Sequence, residues 1–400
     1  MIRRIGLALG LAVMLGGCSD SKSSVTGAAG TAASGGAGAS DGGSGGKPSA
    51  AGGASGPTGG ATVSGNAGGS GKVLDPSVLT EQPAVIDELK LDAARVYWLE
   101  GHNRILSIPL AGGKPSVVYA STTPGKYEAL HIAIDDSKLY FTDQGVRDFG
   151  TIDPTKPRGL FSIPLDGSGG RTLLITLGYI DNLTVADGYV YFTANESIAR
   201  MSTSGGAATA LVRNINTDTP LVVHDGYVYF WYAQDATVMQ NIYRVPIDSD
   251  KGPLVAEGSA TGGAGGGGGA ESTGGTAGSG ASPAIAAEQL SDTTRYSELI
   301  LSPRVDEGYV YWSIYDELYR YPVAGGSQEK FGVLEKGSIR LLLVDQGDIY
   351  WGGGSLQQFV VGGDSNTNVV SSIQGINAVA VNDSHIFVAD GKLLRRVARP

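Results

Sequence analysis

One short hydrophobic pattern recurs seven times along this chain of 400 residues. Each copy is an aliphatic residue followed by aromatic residues, and the last copy ends in valine: Val96-Tyr97-Trp98, Leu139-Tyr140-Phe141, Val190-Tyr191-Phe192, Val228-Tyr229-Phe230, Val310-Tyr311-Trp312, Ile349-Tyr350-Trp351 and Ile386-Phe387-Val388. The copies lie about 43 residues apart, a spacing typical of proteins built from one repeated supersecondary unit.

Each copy belongs to a unit with the pattern of four short strands. In the second unit, an apolar segment closed by a polar turn (Ile132 to Ser137) precedes the aromatic strand. The aromatic strand is followed by a strand with alternating pattern, Leu160 to Leu165. A glycine-rich turn then leads to the fourth strand, Thr172 to Ile175. No segment shows helical periodicity. This organisation predicts an all-β fold, a seven-bladed β-propeller of four-stranded blades.

The last unit contains only three strands before the sequence reaches Pro400. Its missing fourth strand must come from the segment ahead of the first unit, and Val73 to Thr80 is the candidate. We therefore expect an N-terminal strand to close the ring and remove the open sheet edge.

The recurrent tyrosines allow two interpretations. They could form an exposed aromatic platform for sugars or bases. Alternatively, they pack between neighbouring blades, because three consecutive apolar residues in a strand require burial on both faces. Recurrence in nearly every unit favours the second interpretation.

The units resemble the YWTD repeats of low-density lipoprotein receptor class B modules. The nearest copy is Tyr140-Phe141-Thr142-Asp143 followed by Gly159 to Ser168, and the likeness extends to TolB-like and DUF5050-like bacterial propellers. Two departures are visible: seven units are present instead of six, and aspartate follows the aromatic pair only at Asp143. The resemblance implies the fold and carries over no binding residue.

The amino terminus predicts export and lipid anchoring. A basic Met1-Ile2-Arg3-Arg4 precedes an apolar run, and residues 1–17 read as a signal peptide. Leu15-Gly16-Gly17-Cys18 resembles the lipoprotein signal-peptidase box, and Cys18 is the only cysteine of the chain. We expect Cys18 to be acylated and the neutral Ser19 to favour the outer membrane of a Gram-negative bacterium. The alternative is an ordinary secretory signal with an incidental cysteine.

Two segments have the composition of flexible linkers. Residues 18–72 form the first, and the stretch from Ser21 to Lys72 contains 18 of the 63 glycines. The second is an insert at 258–283 with 12 more. Neither contains apolar periodicity that could offset the entropy of ordering it, so we expect both to be disordered. The folded domain is predicted to span 73–400.

Charge excludes one class of partner. The chain carries 29 Lys and Arg against 39 Asp and Glu, for a formal net charge of -10. A nucleic-acid-binding protein needs clustered positive charge, so we expect no nucleic acid partner. We also predict a monomer without a cofactor.

In a propeller whose innermost strand comes first, the fourth-to-first and second-to-third connections share one face. On this mapping the variable segments 144–158, 232–240 and the 258–283 insert are expected on that face, which is the candidate ligand face. Polar residues align near its inner rim, where they could hold a small ligand or bind trapped water. They are Glu128, Asp181, Asn182, Thr219, Arg340 and Asn377.

Reactive groups are few. The four histidines are scattered: His102 and His131 fall on the candidate face, His385 begins a strand on the opposite side, and His224 occupies a surface turn. A zinc or iron site needs three or four convergent ligands, which this pattern does not indicate. Calcium requires only oxygen ligands, which one loop offers. Its weak candidates are Asp143, Asp148 and Asp153, and the alternative is a solvated loop.

The sequence favours a non-catalytic, lipid-anchored binding module for an envelope protein or glycan. No GxSxG elbow or paired-carboxylate motif is evident, so no catalytic residue is assigned. The alternative is a propeller hydrolase, lyase or lactonase, with or without calcium, acting at the polar inner rim. A purely structural role in an envelope assembly is a third hypothesis.

Overall fold

The computed structural model describes residues 77–121, 129–144, 147–148, 151–152, 158–215, 221–233, 240–254, 287–291, 303–334, 341–352, 355–363, 366–371, 373 and 375–399. These residues form seven antiparallel four-stranded sheets and one small hairpin. No helix occurs within them, and none of their segments is a helix able to cross a membrane. The all-β prediction is confirmed.

The first three complete blades follow one another in sequence. Blade 1 consists of β2 (Ile86–Leu91), β3 (Arg95–Glu100), β4 (Arg104–Pro109) and β5 (Ser116–Ala120). Blade 2 consists of β6 (Ala129–Ile134), β7 (Lys138–Asp143), β10 (Gly159–Pro164) and β11 (Thr172–Thr176), with a hairpin of β8 (Arg147–Asp148) and β9 (Thr151–Ile152). Blade 3 consists of β12 (Ile180–Ala186), β13 (Tyr189–Ala194), β14 (Ser197–Ser202) and β15 (Thr209–Arg213).

The next three blades repeat the same order. Blade 4 consists of β16 (Leu221–His224), β17 (Tyr227–Ala233), β18 (Gln240–Pro246) and β19 (Glu288–Gln289). Blade 5 consists of β20 (Arg304–Asp306), β21 (Tyr309–Ile314), β22 (Glu317–Pro322) and β23 (Glu329–Val333). Blade 6 consists of β24 (Leu341–Asp345), β25 (Asp348–Gly352), β26 (Leu356–Val360) and β27 (Asn366–Val370).

Blade 7 is assembled from both ends of the folded region. It contains β28 (Ile376–Val381), β29 (His385–Asp390) and β30 (Leu393–Ala398), and its outer strand is β1 (Ser77–Glu81). β1 pairs antiparallel with β30, from Ser77 opposite Arg396 to Glu81 opposite Leu393. The predicted N-terminal closure is confirmed. The first strands of the seven blades also pack in sequence around the axis, with β28 returning to β2.

The core lies between the blades. One cluster joins blades 1 and 2 through Tyr97, Phe141 and Phe161, and another joins blades 7 and 1 through Trp98 and Phe387. The tyrosines of the recurrent aromatic pattern are at most 2% exposed, which confirms their assignment to the core and excludes the aromatic platform.

Each buried tyrosine hydroxyl lies near a charged group, and the blades use two different partners. In blades 1 and 2, Tyr97 and Tyr140 donate to aspartates of the first turn, Asp92 and Asp135, each over 2.7 Å. In blades 3 to 5, an arginine of the third strand lies across the ladder from the tyrosine, as Arg200 does from Tyr191. Each arginine also stacks on a second tyrosine, which lies two residues before the buried one. The pairs are Arg200 on Tyr189, Arg244 on Tyr227 and Arg320 on Tyr309.

Asp135 has a larger structural role than a surface turn residue. Its Oδ1 accepts the backbone N–H groups of Ser137 and Lys138, both at 2.7 Å, while Oδ2 accepts from Tyr140. We expect Asp135→Ala to lower the free energy of unfolding by roughly 2 kcal/mol, because the buried Tyr140 hydroxyl loses its acceptor. The exposed neighbour provides the control: Asp136→Ala should change it by less than about 0.5 kcal/mol. Urea unfolding of both variants measures the difference, and equal effects would contradict this role.

Candidate functional site

The strand directions define two faces of the propeller. We call the face carrying the fourth-to-first and second-to-third connections the top face, and the opposite one the bottom face. The first strand of every blade runs from top to bottom along the axis. Side chains at the beginning of these inner strands therefore surround the top mouth of the central channel.

The 258–283 insert does not belong to the top face, and our expectation for it was wrong. β19 is the fourth strand of blade 4 and pairs with β18, so the insert lies within a third-to-fourth connection. That connection leaves β18 at Pro246 on the bottom face. The first residues of this connection, up to Leu254, run beside the outer strand of blade 3. There the backbone N–H of Leu254 donates to the carbonyl of Ala208 over 2.9 Å. The insert itself lies outside the described residues.

Polar side chains from blades 1, 2 and 3 meet at the top mouth. Asp87 and Glu88 come from β2, His131 from β6, Asp181 from β12, and His102 from the turn after β3. We call these five residues the rim cluster.

Glu88, His131 and Asp181 form a continuous chain across three blades. Glu88 Oε2 accepts the backbone N–H of Ile132 over 2.9 Å and lies 3.8 Å from His131 Nδ1. On its other side, His131 Nε2 lies 3.4 Å from Asp181 Oδ1. The imidazole thus bridges two carboxylates from neighbouring blades, and Lys90 adds a salt bridge to Glu88 at 2.8 Å.

A second carboxylate–imidazole pair lies beside this chain. His102 Nδ1 is 3.9 Å from Asp87 Oδ2. Burial of Asp87 raises the pKa of its carboxyl above the ordinary value, and the neighbouring His102 partly opposes that shift. The rim cluster therefore combines three carboxylates with two imidazoles, and it can accept hydrogen bonds and attract positive charge.

Backbone irregularities orient these side chains. The pairing register shifts beside Asp87 in β2, between Ala129 and Ile132 in β6, and beside Asn182 in β12. Asn182 adopts a left-handed φ of 47°, which asparagine tolerates better than most residues. A bulge changes the face to which a side chain points, so simple alternation could not assign these positions.

The structure places three of the six predicted rim residues. Asp181 is buried in the rim cluster, Asn182 is half-buried at the adjacent bulge, and Asn377 is exposed at the top of β28. The other three, Glu128, Thr219 and Arg340, lie outside the described residues. The sequence analysis missed Asp87 and Glu88, although Ile86-Asp87-Glu88-Leu89 has the same pattern as Ile180-Asp181-Asn182-Leu183.

The three calcium candidates do not form a common site among the described residues. Asp143 is buried and forms an ion pair with Arg171, whose guanidinium also lies 4.3 Å from the centre of the Phe161 ring. Asp148 belongs to the small hairpin strand β8, and Asp153 lies outside the described residues. Within the described part of the chain, no three His, Cys, Asp or Glu side chains are grouped as metal ligands.

The remaining histidines lie on the bottom face, as expected. His224 ends β16 and lies 3.3 Å from Asp225, and His385 begins β29.

The proposed lipidation residue, Cys18, lies outside the described residues, as do the signal peptide and tether at 1–72.

Known structures share this architecture at low sequence identity. The WD40 propeller domain of Doa1 is 14% identical with a TM-score of 0.54, and the match covers 81% of this chain and 96% of that domain. YCF48 bound to D1 peptide is 10% identical with a TM-score of 0.54, covering 82% of this chain and 98% of that chain.

The computationally designed Ika8 protein is also similar, with 12% identity, a TM-score of 0.51, and coverage of 80% of this chain and 98% of Ika8. These likenesses show the fold alone. The chain is a seven-bladed β-propeller. No protein-family model and no curated protein matches the sequence.

Proposed function

We propose that this chain is a non-catalytic, lipid-anchored binding module of the bacterial cell envelope. Its top face receives a protein or glycan partner, and the rim cluster lies at the centre of that face. The protein acts as a monomer attached through acylated Cys18, in the outer membrane of a Gram-negative cell.

The direction of β1 is the observation that carries this proposal. Ser77 pairs with Arg396 near the end of β30, so β1 enters blade 7 from the bottom face and runs toward the top. A tether preceding Ser77 therefore joins the propeller on the side opposite the rim cluster. The attachment of the tether therefore does not obstruct the top face.

The fold suits such a role because it combines a rigid ring with variable connections. The second-to-third connections differ in length on the top face, from a turn between β3 and β4 to the segment between β7 and β10 that contains β8 and β9. One structural neighbour, YCF48, was solved with a peptide bound. This precedent supports a protein partner for a propeller of the same overall fold.

Affinity capture tests the proposal. The full chain is immobilised through a C-terminal tag, because β30 ends on the bottom face, and exposed to envelope extract. We expect a protein or glycan to be retained by the wild-type chain and released by Glu88→Gln combined with Asp181→Asn. The matched control is Asp136→Asn combined with Asp383→Asn, which makes the same charge change in bottom-face turns and should retain the partner.

Two results would contradict the proposal. Equal retention by both double variants would place the partner elsewhere on the molecule. Turnover of a lactone or polysaccharide by the wild-type chain, lost in the rim variant, would make the protein an enzyme.

A further inference from the structure

One arginine of the central channel has no counter-ion within the described part of the chain. Arg304 lies on β20, the innermost strand of blade 5. Its guanidinium makes one hydrogen bond to the described residues, from Nη1 to the carbonyl of the adjacent Pro303 over 3.0 Å. Other half-buried or buried arginines, such as Arg171, Arg244 and Arg399, each form an ion pair with a carboxylate. Arg304 is therefore a cation with unused donors.

The strand register places Arg304 at mid-depth in the channel. It pairs with Tyr311 of β21, and an inner-strand residue of every other blade lies opposite the corresponding tyrosine, or opposite Phe387 in blade 7. We call these inner-strand residues the middle ring. They are Lys90, Ala133, Thr184, Val222, Arg304, Leu343 and Ala380. The middle ring contains two cations and no carboxylate.

The two cations of the middle ring differ in their partners. Lys90 Nζ lies 2.8 Å from Glu88 Oε1, so its charge is compensated within blade 1. Arg304 belongs to blade 5, three blades away around the ring, whereas the carboxylates of the rim cluster come from blades 1 to 3. Arg304 is thus the member of the ring that can receive an anion.

The guanidinium is open to the channel. Arg304 is half-buried, and its Nε and Nη2 atoms are not closed off from solvent although they donate to no described residue. A small molecule inside the channel can therefore reach these N–H groups without moving the backbone.

Burial penalises the charge that Arg304 carries. Desolvation by the surrounding protein lowers the pKa of the guanidinium to about 10, and no neighbouring charge among the described residues opposes the shift. A desolvated cation without a partner costs stability, and a bound anion would offset that cost.

Geometry and size select the anion. The planar guanidinium donates two parallel N–H groups to a carboxylate, a match that a spherical ion does not provide. In the middle ring, the neighbours of Arg304 on either side are the apolar Val222 of blade 4 and Leu343 of blade 6. These walls favour an anion with a small apolar body.

We propose that Arg304 binds a small carboxylate anion in the central channel, through two of its N–H groups. The site lies below the rim cluster and on the opposite side of the channel. It does not depend on the partner proposed for the top face.

Thermal unfolding of the full chain in HEPES buffer, with sodium acetate as the probe, tests the proposal. We expect acetate to raise the melting temperature of the wild type saturably, by about 3 °C at roughly 100 times its dissociation constant. Sodium chloride at the same concentration controls for ionic strength and should raise it less, because chloride cannot bridge two donors of the fork.

Two variants isolate the residue. Arg304→Gln should not respond to acetate, and without acetate it should melt above the wild type, because a neutral amide costs less to bury than an unpaired cation. Lys114→Gln removes one positive charge from an exposed position and should respond to acetate as the wild type does.

Three results would overturn the inference. A wild type that does not respond to acetate would assign the guanidinium to channel water only, and equal stabilisation by chloride would remove the carboxylate. A melting temperature of Arg304→Gln below that of the wild type without acetate would indicate a partner within the chain itself. None of these results affects capture of an envelope partner at the top face, so the two proposals fail separately.

Discussion

Deletion of residues 77–81 should lower the melting temperature of the protein by about 10 °C, because it removes β1 and reopens blade 7. β1 forms four paired positions with β30, and Leu79 packs against the cluster that joins blades 7 and 1. The lost hydrogen bonds contribute about 1 kcal/mol each and the leucine about 1.5 kcal/mol, for roughly 5 kcal/mol in all.

Differential scanning calorimetry measures this effect. The control deletes residues 42–46, five residues of the glycine-rich tether, and should leave the melting temperature unchanged. If the β1 deletion proves insoluble, Leu79→Asp tests the same contact, because it places a charge against an apolar cluster. An unchanged melting temperature in both β1 variants would contradict closure of the ring by this strand.

Alkaline unfolding is the second large effect, and the buried tyrosines cause it. Burial raises the pKa of Tyr97, Tyr140, Tyr191, Tyr229 and Tyr311 above the ordinary value of 10.0, and that of Tyr350 to about 12. The folded protein therefore keeps these phenols neutral while the unfolded chain ionises from pH 10 upward. Their contribution to stability is complete below pH 10 and is lost as pH rises toward the raised pKa values.

Each tyrosine removes about 1.4 kcal/mol of stability per pH unit in that range. The losses from the six groups add, and they act against the 5 to 15 kcal/mol that typically separates folded from unfolded chains, so we expect cooperative unfolding above pH 10. Circular dichroism and tyrosinate absorbance should then change together. Gradual ionisation near pH 10 with the β-sheet signal retained would contradict the buried positions.

A single substitution checks the origin of this pH dependence. Tyr140→Phe removes one titrating phenol without changing the ring that packs in the core. Above pH 10, the slope of stability against pH should decrease by about 1.4 kcal/mol per unit relative to the wild type. An unchanged slope would assign the alkaline transition to other groups.

The fold could be predicted from the sequence because the same strand pattern repeats along the chain. The aromatic strand recurs in each unit, and counting the strands of the last unit was sufficient to predict the closing strand. The insert escaped this reasoning because β19 has only two residues, too few to show a strand pattern after a long glycine-rich segment. Without that strand, the connection was assigned to the wrong face.

The candidate site was predictable only in part. Asp181 could be placed at the inner rim by alignment of the units. His131 was regarded as isolated, because its partners, Glu88 and Asp181, belong to the neighbouring blades and lie far from it in sequence. The bulges at the beginning of the inner strands also change side-chain direction locally, which alternation cannot reveal.

We propose that the top face, and not the bottom face, receives the partner. Hydrogen–deuterium exchange of the captured complex tests it most directly. We predict slower exchange, relative to the free chain, at the beginnings of β2, β6 and β12 and in the β3–β4 turn. Protection confined to bottom-face turns, such as those at Asp136 and Asp383, would contradict the account.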